Sequence, residues 1–146
     1  MNANFLQYCE AVGLSNIQIP RVTQIYTEYG QIINQEIRDI FISEQTTPEN
    51  AKLYISLWFF SDSHFMEAKN FLTTDDFDIA ILKKRVKYVH FTKANFVFGQ
   101  AATNASSFAL DLQLSDLVNA QLRASQNNCV KLLDMYKKHI LPNIIT

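Results

Sequence analysis

The sequence predicts an α+β fold: helices at the N-terminus, a strongly bent antiparallel sheet through the middle, and a long helix at the C-terminus. Two stretches, Val22 to Phe41 and Val118 to Ile140, place apolar residues at three- and four-residue steps, the period of a helix with one buried face. Between them, Phe108, Leu110, Leu112 and Leu114 alternate with Ala109, Asp111 and Gln113, the period of a half-buried strand. Strands gathered in one stretch and helices in others define an antiparallel sheet with segregated helices.

Phe5, Leu6, Cys9, Val12 and Leu14 predict a short helix that stops near Gly13, since glycine accepts the left-handed backbone of a helix end. Pro20 suits the first turn of a second helix, because proline lacks the N–H that a first turn leaves unpaired. Val22, Ile25, Tyr26, Tyr29, Ile32, Ile33, Ile37, Ile40 and Phe41 extend that helix from Pro20 to Phe41, with Arg21, Thr27, Glu28, Gln31 and Gln35 on its wet side. It carries more apolar residues than a thin surface stripe needs, which makes it the expected contact between copies of the chain. Gly30 costs about 1 kcal/mol against Ala inside a helix and marks an expected close approach by another element.

After the polar connector Gln45 to Asn50, Leu53 to Phe60 and Phe65 to Phe71 flank the turn Ser61-Asp62-Ser63-His64, which predicts a β-hairpin. Thr47, Pro48 and Glu49, and later Thr74, Asp75 and Asp76, are also good helix starts, so an all-α fold is the alternative. Val86, Tyr88, His90 and Thr92 alternate with Lys87, Val89, Phe91 and Lys93 and favour strand, followed by Phe96, Val97 and Phe98 before Gly99. Ser115 or Asp116 caps the last predicted helix, with Val118, Leu122, Ser125, Cys129, Leu132, Tyr136 and Ile140 as its stripe. Lys137, Lys138 and His139 complement its C-terminal dipole, and Pro142 ends it. The chain of 146 residues reads as one domain: helical over 1–45, mainly strands over 50–114, helical over 115–141. The order of elements in the last hundred residues, with Leu82 to Phe91 followed by a strand and a closing helix, resembles a pleckstrin-homology-type half-barrel. That likeness implies a sheet bent around the last helix and carries no site residues with it.

Composition narrows the classes. With 48% hydrophobic and 18% charged residues the chain is globular, not disordered. No apolar run approaches the roughly eighteen residues that span a bilayer. Met1 to Glu10 lacks a basic lead and an apolar core, so no secretory signal is read there and a cytoplasmic location is expected. Cys9 and Cys129 are expected as reduced thiols packed like small hydrophobes. The glycosylation triplet Asn104-Ala105-Ser106 carries no weight without a signal peptide. Net charge is −1, but residues 1–80 hold eleven acids against four bases, and residues 81–146 hold nine bases against three acids. The halves, at −7 and +6, are expected to attract each other, within one fold or across a dimer.

No motif marks an enzyme. His64, His90 and His139 show no zinc spacing, and no cofactor or metal is expected. Asp75, Asp76 and Asp78 lack the Gly and Glu of a calcium loop, and are read as a solvated turn or cap. Ser61, Asp62 and His64 supply the residue types of a triad, but triads are defined by geometry. The feature that asks for a partner is Lys83, Lys84, Arg85, Lys87 and Lys93, interleaved with Tyr88, His90, Phe91, Phe96 and Phe98. No acid occurs from Leu82 to Leu110. Such a tract is either a solvated face meeting the acidic half or a site for an acidic protein; nucleic acid or acidic lipid comes after these. The expected function is therefore non-catalytic binding or assembly through protein contacts, with self-association included. The rival is a small-molecule carrier or enzyme whose pocket is lined by Tyr54, Trp58, Phe60 and Tyr88.

Overall fold

A computed structural model describes residues 1–47, 49, 51–73, 76, 78–94, 107–114 and 118–145, with the backbone alone at Lys93 and Ala94. Helix α1 spans Ala3–Ala11, opened by the Asn2 side chain, whose Oδ1 accepts from the Phe5 N–H at 2.8 Å. It ends where expected: Gly13 takes φ +104°, and a Cβ there would stand 2.9 Å from the Tyr54 hydroxyl. Helix α2, Ile19–Ile33, has Pro20 in its first turn and buries Val22, Ile25 and Tyr29.

The second helix stops eight residues short of Phe41. Asn34 adopts the left-handed conformation (φ 51°) at its C-cap, and Asp39–Thr46 is strand β1. The predicted helix Pro20 to Phe41, and the helical assignment of 1–45, are corrected accordingly. The cause is plain in the burial: Ile40, Phe41 and Ile42 are all fully buried, because β1 is covered on both faces. A strand with two buried faces reads as a continuous apolar run, which here continues the helical spacing by coincidence. The apolar surplus expected to form a contact between copies is thus absorbed by the core, apart from Ile32 at 57% exposure.

The hairpin appears as predicted. Strand β2, Lys52–Phe60, pairs antiparallel with β3, His64–Lys69, in a register that sets Trp58 opposite Glu67 and Phe60 opposite Phe65. Strand β4, Asp78–Lys83, completes a four-stranded sheet of order β1-β2-β3-β4. Strands β5, Tyr88–Ala94, β6, Ser107–Gln113, and β7, Asn119–Ser125, form a second antiparallel sheet in that order. With helix α3, Asn128–Met135, the fold is α+β and not all-α. The chain continues from α3 as a π-helical turn Tyr136–Ile140 and a 3₁₀ turn Leu141–Asn143 that contains Pro142.

The predicted helix over 115–141 is therefore also corrected, since its first third is β7. Asn119 to Ser125 holds no β-branched residue, and its spacing suits a helix. Pairing with β6 overrides that local preference and places Leu122 opposite Leu110 in the core. The readings at Pro48, Thr74, Asp75, Phe96 to Gly99, Asn104 to Ser106, and Ser115 and Asp116 lie outside the described residues.

Two cores result, one on each face of the four-stranded sheet. Ile40, Ile42, Leu57, Phe59 and Met66 meet α1 and α2. Phe41, Trp58, Phe60 and Phe65 belong to a cluster with Leu110, Leu122, Cys129, Leu132 and Met135, from the second sheet and α3. Alternate residues of β2 serve opposite cores, which explains the Trp58-Phe59-Phe60 run with no polar residue in it. Each fully buried large side chain contributes about 1.5–3 kcal/mol. Cys9 and Cys129 are buried and divided between the two cores, and burial raises each thiol to about 11.

A bulge between Ser43 and Glu44 bends β1 where it meets β7. There the β7 backbone is held by side chains: Arg123 N–H donates to Ser43 Oγ at 2.9 Å, and Ser125 N–H to Glu44 Oε1 at 2.7 Å. Glu44 is fully buried, and it also accepts from Ser125 Oγ and Asn128 Nδ2. Tyr8 joins this network from α1, donating to Asn128 Oδ1 at 2.8 Å while accepting from the Ile42 N–H. No helix among the described residues is long and apolar enough to cross a membrane.

Candidate binding site

The basic tract is cut into parts by the fold. Lys83 ends β4, Tyr88 begins β5, and the four residues between them pass beside the C-terminal tail, turning first at Lys84, where Arg85 N–H donates to Lys83 C=O at 2.8 Å. Val86 anchors that run: its N–H donates to Asn143 C=O at 3.0 Å, and its C=O accepts from Ile145 N–H at 2.9 Å. Lys87 N–H donates to Gln113 C=O at 2.8 Å. Burial alternates along this run: Lys84 is half-buried and Val86 buried, while Lys83, Arg85 and Lys87 are exposed.

Those three bases line one pocket of about 400 Å³. Its apolar part comes from Ile81 and Leu82 on β4, Leu114 and Val118 beyond β6, and Ile145 in the tail. Among the described residues no acidic and no aromatic side chain stands in that lining. The chemistry is that of a site for an apolar group flanked by negative charge. Ile81 and Ile145, each 41% exposed, offer the apolar contact at its mouth.

Lys84 has a different office. Its Nζ lies 2.7 Å from His139 Nδ1, and His139 Nε2 lies 2.6 Å from Asp39 Oδ2. With Lys84 as a donor, Nδ1 accepts and Nε2 carries the hydrogen that Asp39 receives. The imidazole stacks on Phe60 with ring centres 4.7 Å apart, and Lys131 Nζ stands 3.9 Å from the other Asp39 oxygen. Burial works against the Asp39 carboxylate, but the hydrogen bond from His139, with the ammonium groups of Lys131 and Lys138 nearby, outweighs it and holds its pKa below the usual range. Burial lowers the Lys84 amine, against the pull of Asp62 and Asp39. This cluster ties β1, the β4–β5 connection and the turn after α3 together, so His139 joins acidic and basic halves as well as ending a helix.

Tyr88 and His90 face elsewhere. They sit on β5 in register with Gln113 and Asp111 of β6, away from the pocket, and Lys93 lies further along β5 opposite Phe108. Tyr88 is one wall of a larger cleft of about 600 Å³ that reaches Glu67 and Lys69 of β3. Of the residues read as an aromatic pocket, Trp58 and Phe60 are fully buried in the core. Trp58 Nε1 donates to Ser56 Oγ at 3.0 Å, and Tyr54 donates to Val12 C=O at 3.2 Å, closing the end of α1. These three therefore do not share a cavity with Tyr88.

No triad forms from Ser61, Asp62 and His64. Ser61 Oγ donates to Gln35 Oε1, Asp62 is paired with Arg38 through both oxygens, and His64 Nδ1 meets Ser63 Oγ. Among the described residues no three His, Cys, Asp or Glu side chains gather as metal ligands. Sequence reasoning missed Leu114, Val118 and Ile145 as pocket walls, and it missed the Asp39–His139–Lys84 cluster. These groups lie far apart along the chain, and no local spacing signals their meeting. In comparison with known proteins, the chain matches no family model, no curated protein and no solved structure.

Proposed function

We propose that this chain is a non-catalytic binding domain that captures an acidic protein segment. An apolar side chain of that segment enters the pocket between β4 and the C-terminal tail, and its carboxylates pair with Lys83, Arg85 and Lys87. The observation that carries the reading is the convergence of three bases on one apolar pocket whose described lining holds no acid. A protein segment fits better than the alternatives. Among the described residues no strand pairs with the outer edge of β4, which suits an extended peptide laid beside the pocket. Nucleobases would need aromatic faces, and the described lining holds none.

The same reading takes the two sheets as a pleckstrin-homology-like half-barrel. Its support is the order of four strands then three, the approach of β7 to β1, and the seating of α3 against both sheets. In that arrangement the pocket lies at the seam between β4 and β5.

Fluorescence anisotropy with a labelled peptide alternating Glu and Leu tests the proposal, with phosphatidylserine vesicles and a single-stranded oligonucleotide as competitors. Expected is peptide binding that weakens with salt and drops at least tenfold in the Lys83→Glu/Arg85→Glu/Lys87→Glu variant, about 1.4 kcal/mol or more. Equal binding by that variant, or displacement of the peptide by vesicles or oligonucleotide at lower concentration, overturns it.

A further inference from the structure

The larger cleft lies apart from the basic pocket and is built from different side chains. We infer that it binds a neutral, polyhydroxylated ligand, a sugar. Two rungs of the second sheet supply its face. Tyr88, Gln113 and Asn119 stand in register across β5, β6 and β7, and Asp111 and Gln121 stand in register on the next rung. Tyr88 is 57% exposed and supplies an aromatic wall against which the C–H face of a pyranose stacks. The amides of Gln113, Asn119 and Gln121 set donors beside acceptors, and the Asp111 carboxylate adds acceptors, a set that matches vicinal hydroxyls that donate and accept in turn.

The polar groups are held from behind. Gln121 Nε2 donates to Asp111 Oδ1 at 2.6 Å, while Gln121 Oε1 accepts from Arg123 Nε. Arg123 is fixed in turn by Gln45 Oε1 at 3.0 Å. This chain fixes the amide orientation and directs one Asp111 oxygen, so ordering them adds little cost when a ligand arrives. Across the cleft, Glu67 is only 7% exposed. It hydrogen-bonds Ser56, which accepts from Trp58 Nε1, so its carboxyl is set by the core although it lines the cleft.

Among the described residues the lining holds two carboxyl groups, Glu67 and Asp111, against one ammonium, that of Lys69. A phosphorylated or carboxylated ligand would face that excess of like charge, whereas an uncharged polyol meets acceptors for its hydroxyl donors. The site also differs in kind from the basic pocket, so the two readings stand or fall separately.

Saturation-transfer NMR on the full chain tests it, with glucose, galactose, mannose, N-acetylglucosamine and their β-linked disaccharides, and glucose 6-phosphate as the charged control. Expected is transfer to at least one neutral sugar that weakens about tenfold in Tyr88→Ala, the upper range of an aromatic contact, and falls in Asp111→Asn and Glu67→Gln. The Lys83→Glu/Arg85→Glu/Lys87→Glu variant, which disables the other site, keeps it. Absence of transfer to every neutral sugar, preference for the phosphate, or unchanged binding in the Tyr88 and Asp111 variants overturns the inference. Both side chains are at least partly exposed, so these two variants read binding even where Glu67→Gln disturbs the fold.

Discussion

Tyr29 is fully buried in α2, its ring edge-on to Phe59 at 5.0 Å, yet its hydroxyl finds no hydrogen-bond partner among the described residues. A buried hydroxyl without a partner costs about 1–3 kcal/mol of desolvation. Tyr29→Phe keeps the ring contact and removes that cost, so it is expected to leave stability unchanged or raise it by about 1 kcal/mol, measured by urea titration. A loss beyond 1 kcal/mol would show that the hydroxyl is satisfied after all. Glu44 is the opposite case. It is equally buried, but Ser125 and Asn128 fill its lone pairs, and its removal would strand their donors. Both residues are polar points on apolar stripes, and spacing alone treats them alike. What separates them is a set of partners some eighty positions away, which no local pattern reveals.

At the scale of elements, Gly30 was expected to mark a close approach, but a Cβ there meets nothing within 4 Å. It lies within α2, which Asn34 closes four residues later, so Gly30→Ala removes only the entropy cost of glycine. A gain of about 0.5–1 kcal/mol is expected, read as a rise in the midpoint of thermal unfolding; a fall in the midpoint would reveal a hidden contact. The same helix shows what is legible and what is not. Its start, Pro20, and its buried face, Val22, Ile25 and Tyr29, follow from local chemistry and can be read directly. Its end depends on Ile37, Ile40 and Phe41 preferring the partner strand β2, a contact between segments about twenty residues apart. The hairpin β2–β3 and strand β6 were legible because turn residues and strict alternation are local signals. Strand β7 was not, because Asn119 to Ser125 is extended only through its neighbour. For the candidate site, the bases Lys83, Arg85 and Lys87 stood out in the sequence. The sorting of Lys84 inward, and the tail that completes the pocket, depend on the fold.

At the scale of the whole molecule, the acidic first half and basic second half meet at Asp39. Its carboxylate on β1 takes His139 from the turn after α3, with Lys131 behind and Lys84 on the far side of the ring. Because its pKa lies below the unfolded value of about 3.9, the unfolded chain binds more protons than the folded one in the acid range. Stability from this group is therefore fully present above pH 4 or so and is lost as pH falls through the folded value. Glu67 has the opposite sign: burial raises its pKa, so its charged form costs stability at neutral pH, and that cost fades on acidification. Lys84, lowered by burial, adds a third trend, since stability rises as pH climbs through its folded value towards the unfolded one. Asp39→Asn isolates the first trend. It keeps an acceptor for His139 and removes the charge that Lys131 and Lys138 face, so a loss of about 1.5–3 kcal/mol at pH 7 is expected, the worth of a hydrogen bond to a charged group. Guanidinium titrations of both proteins between pH 2.5 and 7 make the check, the salt suppressing surface pairs while leaving the half-buried cluster in place. The gap between the two stability curves should narrow as pH falls below the ordinary carboxylate range and the wild-type carboxyl takes up its proton. A gap of constant size across the whole range would mean that Asp39 acts through packing alone, and that the attraction between the halves is carried elsewhere.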